Sequence, residues 1–297
     1  MSNTQLDAIR KMLTENPVIP AGATLEQMRA GFDATGSSKP TIDGVSNEAV
    51  AAGGVAAEWI VPDGAPRKRV VLYFHGGGYA IGSIDSHRYM LDRLARATGD
   101  RVLALNYRLA PEHPFPAAVD DAVAAFNWLV DQGNEPAQIT IAGDSAGGGL
   151  AIAALVALRD QGGAMPGCAV AISPWADMEA SGGSMETKAA VDPMVQKPII
   201  DELAQTYLQG QDLRSPLASP LYADLSNLPP VLIHVGEAET LLDDSIRIEA
   251  ALKAAGCAVT LEVWEEMIHV WHLFAPLLDK GQEAIDRVAS YIEQQLG

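Results

Sequence analysis

The sequence predicts a doubly wound α/β fold, with about eight strands in a mostly parallel sheet, helices on both faces and a helical cap. Three observations predict it. Short runs such as Val70-Val71-Leu72-Tyr73-Phe74 and Val231-Leu232-Ile233-His234-Val235 are almost continuously apolar, the mark of strands covered on both faces in a parallel sheet. Longer helix-patterned stretches alternate with these runs, as in βαβ units. The chain has 297 residues, 48% hydrophobic and 20% charged, which suits one large α/β domain and excludes disordered and collagen-like classes.

The elements follow in order. Glu48–Ala52 and Ala56–Val61 flank Gly53-Gly54 and read as an antiparallel hairpin at the sheet edge. After Val70–Phe74 come strands at Val102–Tyr107, Ile139–Ala142, Ala169–Ile172, Val231–Val235 and Val259–Trp264. Helical patterns lie between them: His87–Ala97 and Ala117–Val130 are amphipathic, Gly148–Arg159 is rich in Ala and Leu and so reads as buried, and Ser245–Ala255 and Glu283–Gln295 complete the set. Two regions break the rhythm. One is residues 1–45, with helical pieces at Thr4–Glu15 and Leu25–Ala34; the other, about 180–222, begins with Gly182-Gly183 and holds a helix near Lys197–Leu208. An insertion between two strands is where a lid is placed. The expected division is a cap from 1–45 and about 180–222 over a core of 46–179 and 223–297; the plainer alternative is that both regions are surface packing.

Acids outnumber bases 38 to 20, a net charge of −18. That field repels phosphate backbones and anionic membranes, so no nucleic acid partner is expected, while a small neutral substrate is unaffected. No apolar run is long enough for a membrane span, and Met1–Lys11 shows no apolar core of a secretory signal, so a cytoplasmic location is expected. Cys168 and Cys257 sit in apolar runs and read as small core residues, with no disulfide framework.

Two local motifs carry chemistry. Gly143-Asp144-Ser145-Ala146-Gly147 follows a strand and precedes a helix, the context a nucleophile elbow requires. A side chain at position 143 or 147 would collide with the neighbouring strand or helix, and the helix N-terminus aims its N–H groups at the serine. The alternative is a glycine-rich packing turn. His75-Gly76-Gly77-Gly78-Tyr79 follows the strand Val70–Phe74. Its glycines let backbone N–H groups approach a ligand closely, as an oxyanion hole needs. A phosphate loop is the alternative, but no Lys-Ser or Lys-Thr follows. His75, at the strand end, reads as a hydrogen-bonder that holds the loop.

Together with Tyr107-Arg108-Leu109-Ala110-Pro111-Glu112, these motifs resemble the hormone-sensitive lipase family of bacterial esterases, which has the α/β-hydrolase fold. The resemblance covers about residue 45 to the end, with the two irregular regions where that family keeps its cap. It implies a serine carboxylesterase that hydrolyses short- to medium-chain carboxylic esters through an acyl-enzyme, with no cofactor and no metal. Ser145 is then the nucleophile. The base follows the last strand in such enzymes, which selects His269 in Met267-Ile268-His269 over His272. The acid belongs after Val231–Val235, where Gly236-Glu237-Ala238-Glu239-Thr240-Leu241-Leu242-Asp243 resembles the family's G-x-x-D-x-L-x-D stretch. Glu239 stands where the family usually has aspartate; Asp243 matches the second aspartate and is the alternative acid. Gly77, Gly78 and Ala146 would supply the oxyanion hole, and Tyr79 and Trp175 the pocket walls. His269 and His272 are spaced for a metal, but no third ligand is evident in the sequence. The partner expected is a small-molecule ester, and the family's habit also implies pairing of two copies through Ala258–Trp264. The rival readings are a ligand-binding protein on this fold and an amidase, thioesterase or lactonase with the same triad.

Overall fold

A computed structural model describes residues 2–20, 22–37, 42–66 and 68–297. Of the expected N-terminal cap segment, Met1, Ala21 and residues 38–41 lie outside the described residues. Eight strands form one sheet among the described residues: β1 (Val45–Ala52), β2 (Val55–Pro62), β3 (Val70–Phe74), β4 (Arg101–Leu105), β5 (Ile139–Asp144), β6 (Cys168–Ile172), β7 (Val231–Gly236) and β8 (Val259–Trp264). Their spatial order is β1-β2-β4-β3-β5-β6-β7-β8. The β1–β2 hairpin is antiparallel and β2 also runs antiparallel to β4, while the remaining pairs are parallel.

The helices are α1 (Ser2–Glu15), α2 (Leu25–Ser37), α3 (Ile84–Thr98), α4 (Ala117–Asp131), α5 (Ala146–Asp160), the short α6 (Ser184–Thr187), α7 (Lys197–Leu208), α8 (Leu242–Ala254) and α9 (Asp279–Leu296). Strand residues alternate between the two faces. Val70, Leu72 and Phe74 pack with residues of α4, α5 and α8, whereas Val71 and Tyr73 pack with residues of α3 and α9. This two-sided burial is why β3, β5, β6 and β7 read as unbroken apolar runs; β8, at the edge, is only half buried. No helix among the described residues is long and apolar enough to cross a membrane.

Two of the boundaries that differ from the sequence pattern do so for a polar reason. Helix α3 starts before His87 because Ser83 caps it: the Ser83 hydroxyl accepts from the N–H groups of Asp85 and Ser86, and the Ser86 hydroxyl accepts from the Ser83 N–H. Strand β4 stops at Leu105 because Asn106 turns its side-chain oxygen to the N–H of Ile84, an unpaired donor of the first turn of α3.

Candidate active site

Strand β5 delivers Ser145 to the carboxyl edge of the sheet, where α5 begins. Its backbone, at φ 53° and ψ −120°, lies in a region that costs non-glycine residues about 1–3 kcal/mol. The surroundings enforce it. The Ser145 N–H donates to the Ile172 carbonyl at 2.8 Å. A β-carbon on Gly147 would lie 2.0 Å from the Phe74 oxygen, and one on Gly143 would lie 2.3 Å from the Gly147 oxygen. Helix and strand therefore approach too closely for any side chain at either glycine. Ala146 opens α5, so its N–H has no partner within the helix and lies beside the serine.

The glycine loop is held from below. Gly77 and Gly78 have φ of 116° and 61°, and a β-carbon on Gly77 would meet the Ile81 oxygen at 2.2 Å, so the chain folds back tightly there. The buried Asp144 accepts from the Tyr73 hydroxyl at 2.8 Å and the Gly76 N–H at 3.1 Å, and its other oxygen faces His87 Nε2 at 3.2 Å. Burial acts to raise this carboxyl, but His87 and the Tyr73 hydroxyl outweigh it and hold Asp144 below its ordinary value. His75 is buried, stacks on Tyr107 and donates from Nδ1 to the Gly76 carbonyl at 2.7 Å. Burial and the neighbouring His87 push it down to about 3, so it is a neutral structural residue, as its place on the strand end suggested.

The opposite corner is assembled from side chains. His269 Nδ1 lies 3.7 Å from Glu239 Oε1, longer than a hydrogen bond but within ion-pair reach, and among the described residues neither atom has a hydrogen-bond partner. The other Glu239 oxygen accepts from the Ser173 hydroxyl at 2.8 Å and the Gly236 N–H at 3.3 Å. Ser173 Oγ in turn accepts from the Val270 N–H at 3.2 Å. One hydroxyl thus ties the acid to the segment that carries the histidine. Burial opposes a charge on His269, yet the facing carboxylate, with smaller contributions from Asp192 and Asp144, raises the imidazole above its ordinary value. Asp243 is elsewhere: its carboxylate accepts from the Ser184 N–H at 2.9 Å. His272 faces His234, with Nε2 3.1 Å from its Nδ1, and both are buried and held low by that burial.

Gly77, Gly78, Ser145, Trp175 and His269 line one cavity of about 70 Å3. Val18, Ile19 and Phe32 from the N-terminal region and Met194, Val195, Ile199, Ile200 and Leu203 from the second irregular region close it. Tyr79, expected on the wall, is not among its lining residues. Its ring is stacked on Tyr207 at 3.9 Å and tilted against Trp175 at 6.2 Å, so it supports the wall from behind. Sequence reasoning did not single out Ser173 or Asp192. Asp192 accepts from the N–H groups of Thr240, Met194 and Val195, which fastens the second irregular region to the turn that carries Glu239. Neither residue lies in a local motif; Ser173 offers only the faint signal of a polar residue between an apolar strand and Pro174.

The arrangement is a hydroxyl on an elbow, N–H groups beside it, and an imidazole backed by a buried carboxylate. The family described as the alpha/beta hydrolase fold matches residues 71–273. The chain is 43% identical over 300 residues to an acetyl-hydrolase of Streptomyces hygroscopicus, covering 100% of this chain and 99% of the relative. The crystal structure of an esterase from the bacterial hormone-sensitive lipase family superposes with a TM-score of 0.96 at 49% identity, covering 99% of each chain. The chain belongs to this family. A hormone-sensitive lipase from a metagenome library has the same architecture, with a TM-score of 0.95 at 37% identity over 100% of this chain and 99% of that one. Membership in the hormone-sensitive lipase family places the chain among the carboxylic ester hydrolases and explains why motifs at residues 75–78 and 143–147 meet at one sheet edge.

Proposed function

We propose that the protein is a serine carboxylesterase for short- to medium-chain carboxylic esters, with Ser145 as nucleophile, His269 as base and Glu239 as the orienting acid. The observation that carries this reading is the shared cavity: Ser145, His269, Gly77 and Gly78 line it together, and Glu239 faces the far nitrogen of His269. Ser145 Oγ adds to the ester carbonyl while His269 Nε2 takes its proton. Glu239 fixes the tautomer with the Nδ1 proton toward itself and stabilises the imidazolium. The negative oxygen of the tetrahedral intermediate accepts from the N–H groups of Gly77, Gly78 and Ala146. His269 then protonates the departing alkoxide, and water repeats the sequence on the acyl-enzyme to release the acid. Residues 1–45 and about 180–222 act as the cap, consistent with the apolar side chains both contribute to the cavity.

A short acyl group is supported by the small catalytic cavity and agrees with the acetyl-hydrolase name of the Streptomyces relative. Each buried methylene favours binding by about 0.8 kcal/mol until the wall is reached. Hydrolysis of nitrophenyl esters from acetate to palmitate tests this: kcat/KM peaks at a short or medium chain, and the rate rises smoothly with dissolved substrate. A maximum at palmitate, or a jump in rate above the solubility limit, contradicts it.

A further inference from the structure

A second cavity of about 450 Å3 adjoins the catalytic one and shares four wall residues with it, Val18, Phe32, Met194 and Leu273. It runs between α1, α2 and α3 and the segment after His269, and it opens beside Met12 and Leu277, two of the few large apolar side chains that are exposed. Three of its lining residues are methionines, Met12, Met90 and Met194, whose unbranched side chains adapt to flexible apolar ligands.

One residue of the chamber is unusual. Gly31 lies in the middle of α2, where glycine is a poorer helix former than alanine. No packing explains it, since a β-carbon there would meet nothing within 4 Å. Gly36, on the same helix, is different: its β-carbon would lie 2.0 Å from the Asp85 oxygen, so close packing requires it. Gly31 is exposed and borders the chamber, so a side chain there would project into the open space beside it.

The position of the chamber fixes which part of an ester reaches it. The leaving alkoxide takes its proton from His269, so the alcohol arm starts on the histidine's side of the cavity. Leu273, four residues beyond His269, lies on the partition between the two cavities. Trp175, Ile200 and Leu203 line the catalytic cavity but not the chamber, which leaves that side to the acyl group. We infer that the chamber is the binding site for the alcohol arm of the substrate, and that the preferred esters join a short acyl group to a longer, apolar, unbranched alcohol. This inference rests on the esterase reading above.

Two substrate series test it: ethyl, butyl and hexyl acetate, which vary the alcohol, and ethyl acetate, butyrate and hexanoate, which vary the acid. The quantity read is kcat/KM, because the alcohol departs in the first chemical step. In the wild type it rises along the alcohol series. Gly31→Leu, which suits a helix and whose β-carbon meets no neighbour, lowers the hexyl-to-ethyl ratio by about tenfold or more, as expected when several methylenes lose their burial. Gly31→Ala, a gain in helix propensity with little loss of space, lowers it less. Circular dichroism and a melting curve establish that both variants are folded. An unchanged hexyl-to-ethyl ratio in folded Gly31→Leu overturns the inference, as does a loss confined to the acyl series. Failure of the wild type to hydrolyse any of the esters overturns the esterase reading and this inference with it.

Discussion

The two corners of the site are built differently. At the nucleophile corner, backbone packs on backbone: Gly143, Gly147 and the Phe74 carbonyl leave no room for a β-carbon, and Ser145 is held at a positive φ by its neighbours. At the acid–base corner, side chains from separate stretches of chain converge. Ser173 follows β6, Glu239 and Thr240 follow β7, His269 and Val270 follow β8, and Asp192 comes from the insertion that precedes β7. The first corner is therefore intolerant of added volume, with the buried Asp144 carboxylate bracing the glycine loop. The second also has one tight backbone approach, where a β-carbon on Gly236 would lie 2.2 Å from the Met267 oxygen, but its side-chain contacts depend on which atoms carry charge.

The sharpest break in that contrast is a single methyl group at the first corner. Gly147→Ala places a carbon 2.0 Å from the Phe74 oxygen, and neither β3 nor α5 can move without opening the core. The expected outcome is loss of nearly all activity together with a fall in melting temperature, read by calorimetry. A variant that melts within about a degree of wild type, where a 1 kcal/mol change shifts a domain of this size by about 2–4 °C, contradicts it.

At the second corner, the test removes a charge without changing volume. Glu239→Gln keeps the shape and loses the carboxylate, and kcat falls by about 10²- to 10⁴-fold, in line with the loss of the orienting acid in other triads. Asp243→Asn disturbs the tie to Ser184 and costs less than about tenfold; circular dichroism establishes that both variants are folded. If Asp243→Asn is the more damaging, the acid is misassigned. The smallest effect is on the pH profile. His269 must be neutral to take a proton, and its pKa is raised above 6.5, so kcat/KM is full above that raised value and falls below it. In Glu239→Gln the burial remains and the carboxylate is gone, so the residual activity shows its acid limb at lower pH. A wild-type limb centred below 6.5, or one that does not move in the variant, contradicts the pairing.

The same contrast explains what the sequence alone made legible. The corner of the proposed nucleophile is encoded in contiguous residues, because a tight strand–turn–helix needs its glycines at positions 143 and 147; the roles proposed for Ser145, Gly77 and Gly78 follow from local motifs. The roles proposed for His269 and Glu239 come through chain order and resemblance, because the two residues arrive after separate strands. Ser173 and Asp192 escaped notice, since their partners lie 66 and 48 residues away along the chain and no spacing rule links them. Tyr79 was placed one layer too far forward: sequence adjacency to the glycine loop says nothing about which ring covers which, and Trp175 and Tyr207 hold it behind the wall.

The central claim is that Ser145 is a nucleophile activated by His269. Labelling with a fluorophosphonate, followed by peptide mass analysis, tests it most directly, because the probe forms a bond only with an activated hydroxyl. The account predicts one adduct, on the peptide that carries Ser145, no adduct in Ser145→Ala, and labelling slowed by orders of magnitude in His269→Ala. An adduct on any other residue, or a folded Ser145→Ala that hydrolyses nitrophenyl acetate within tenfold of the wild-type rate, would contradict it.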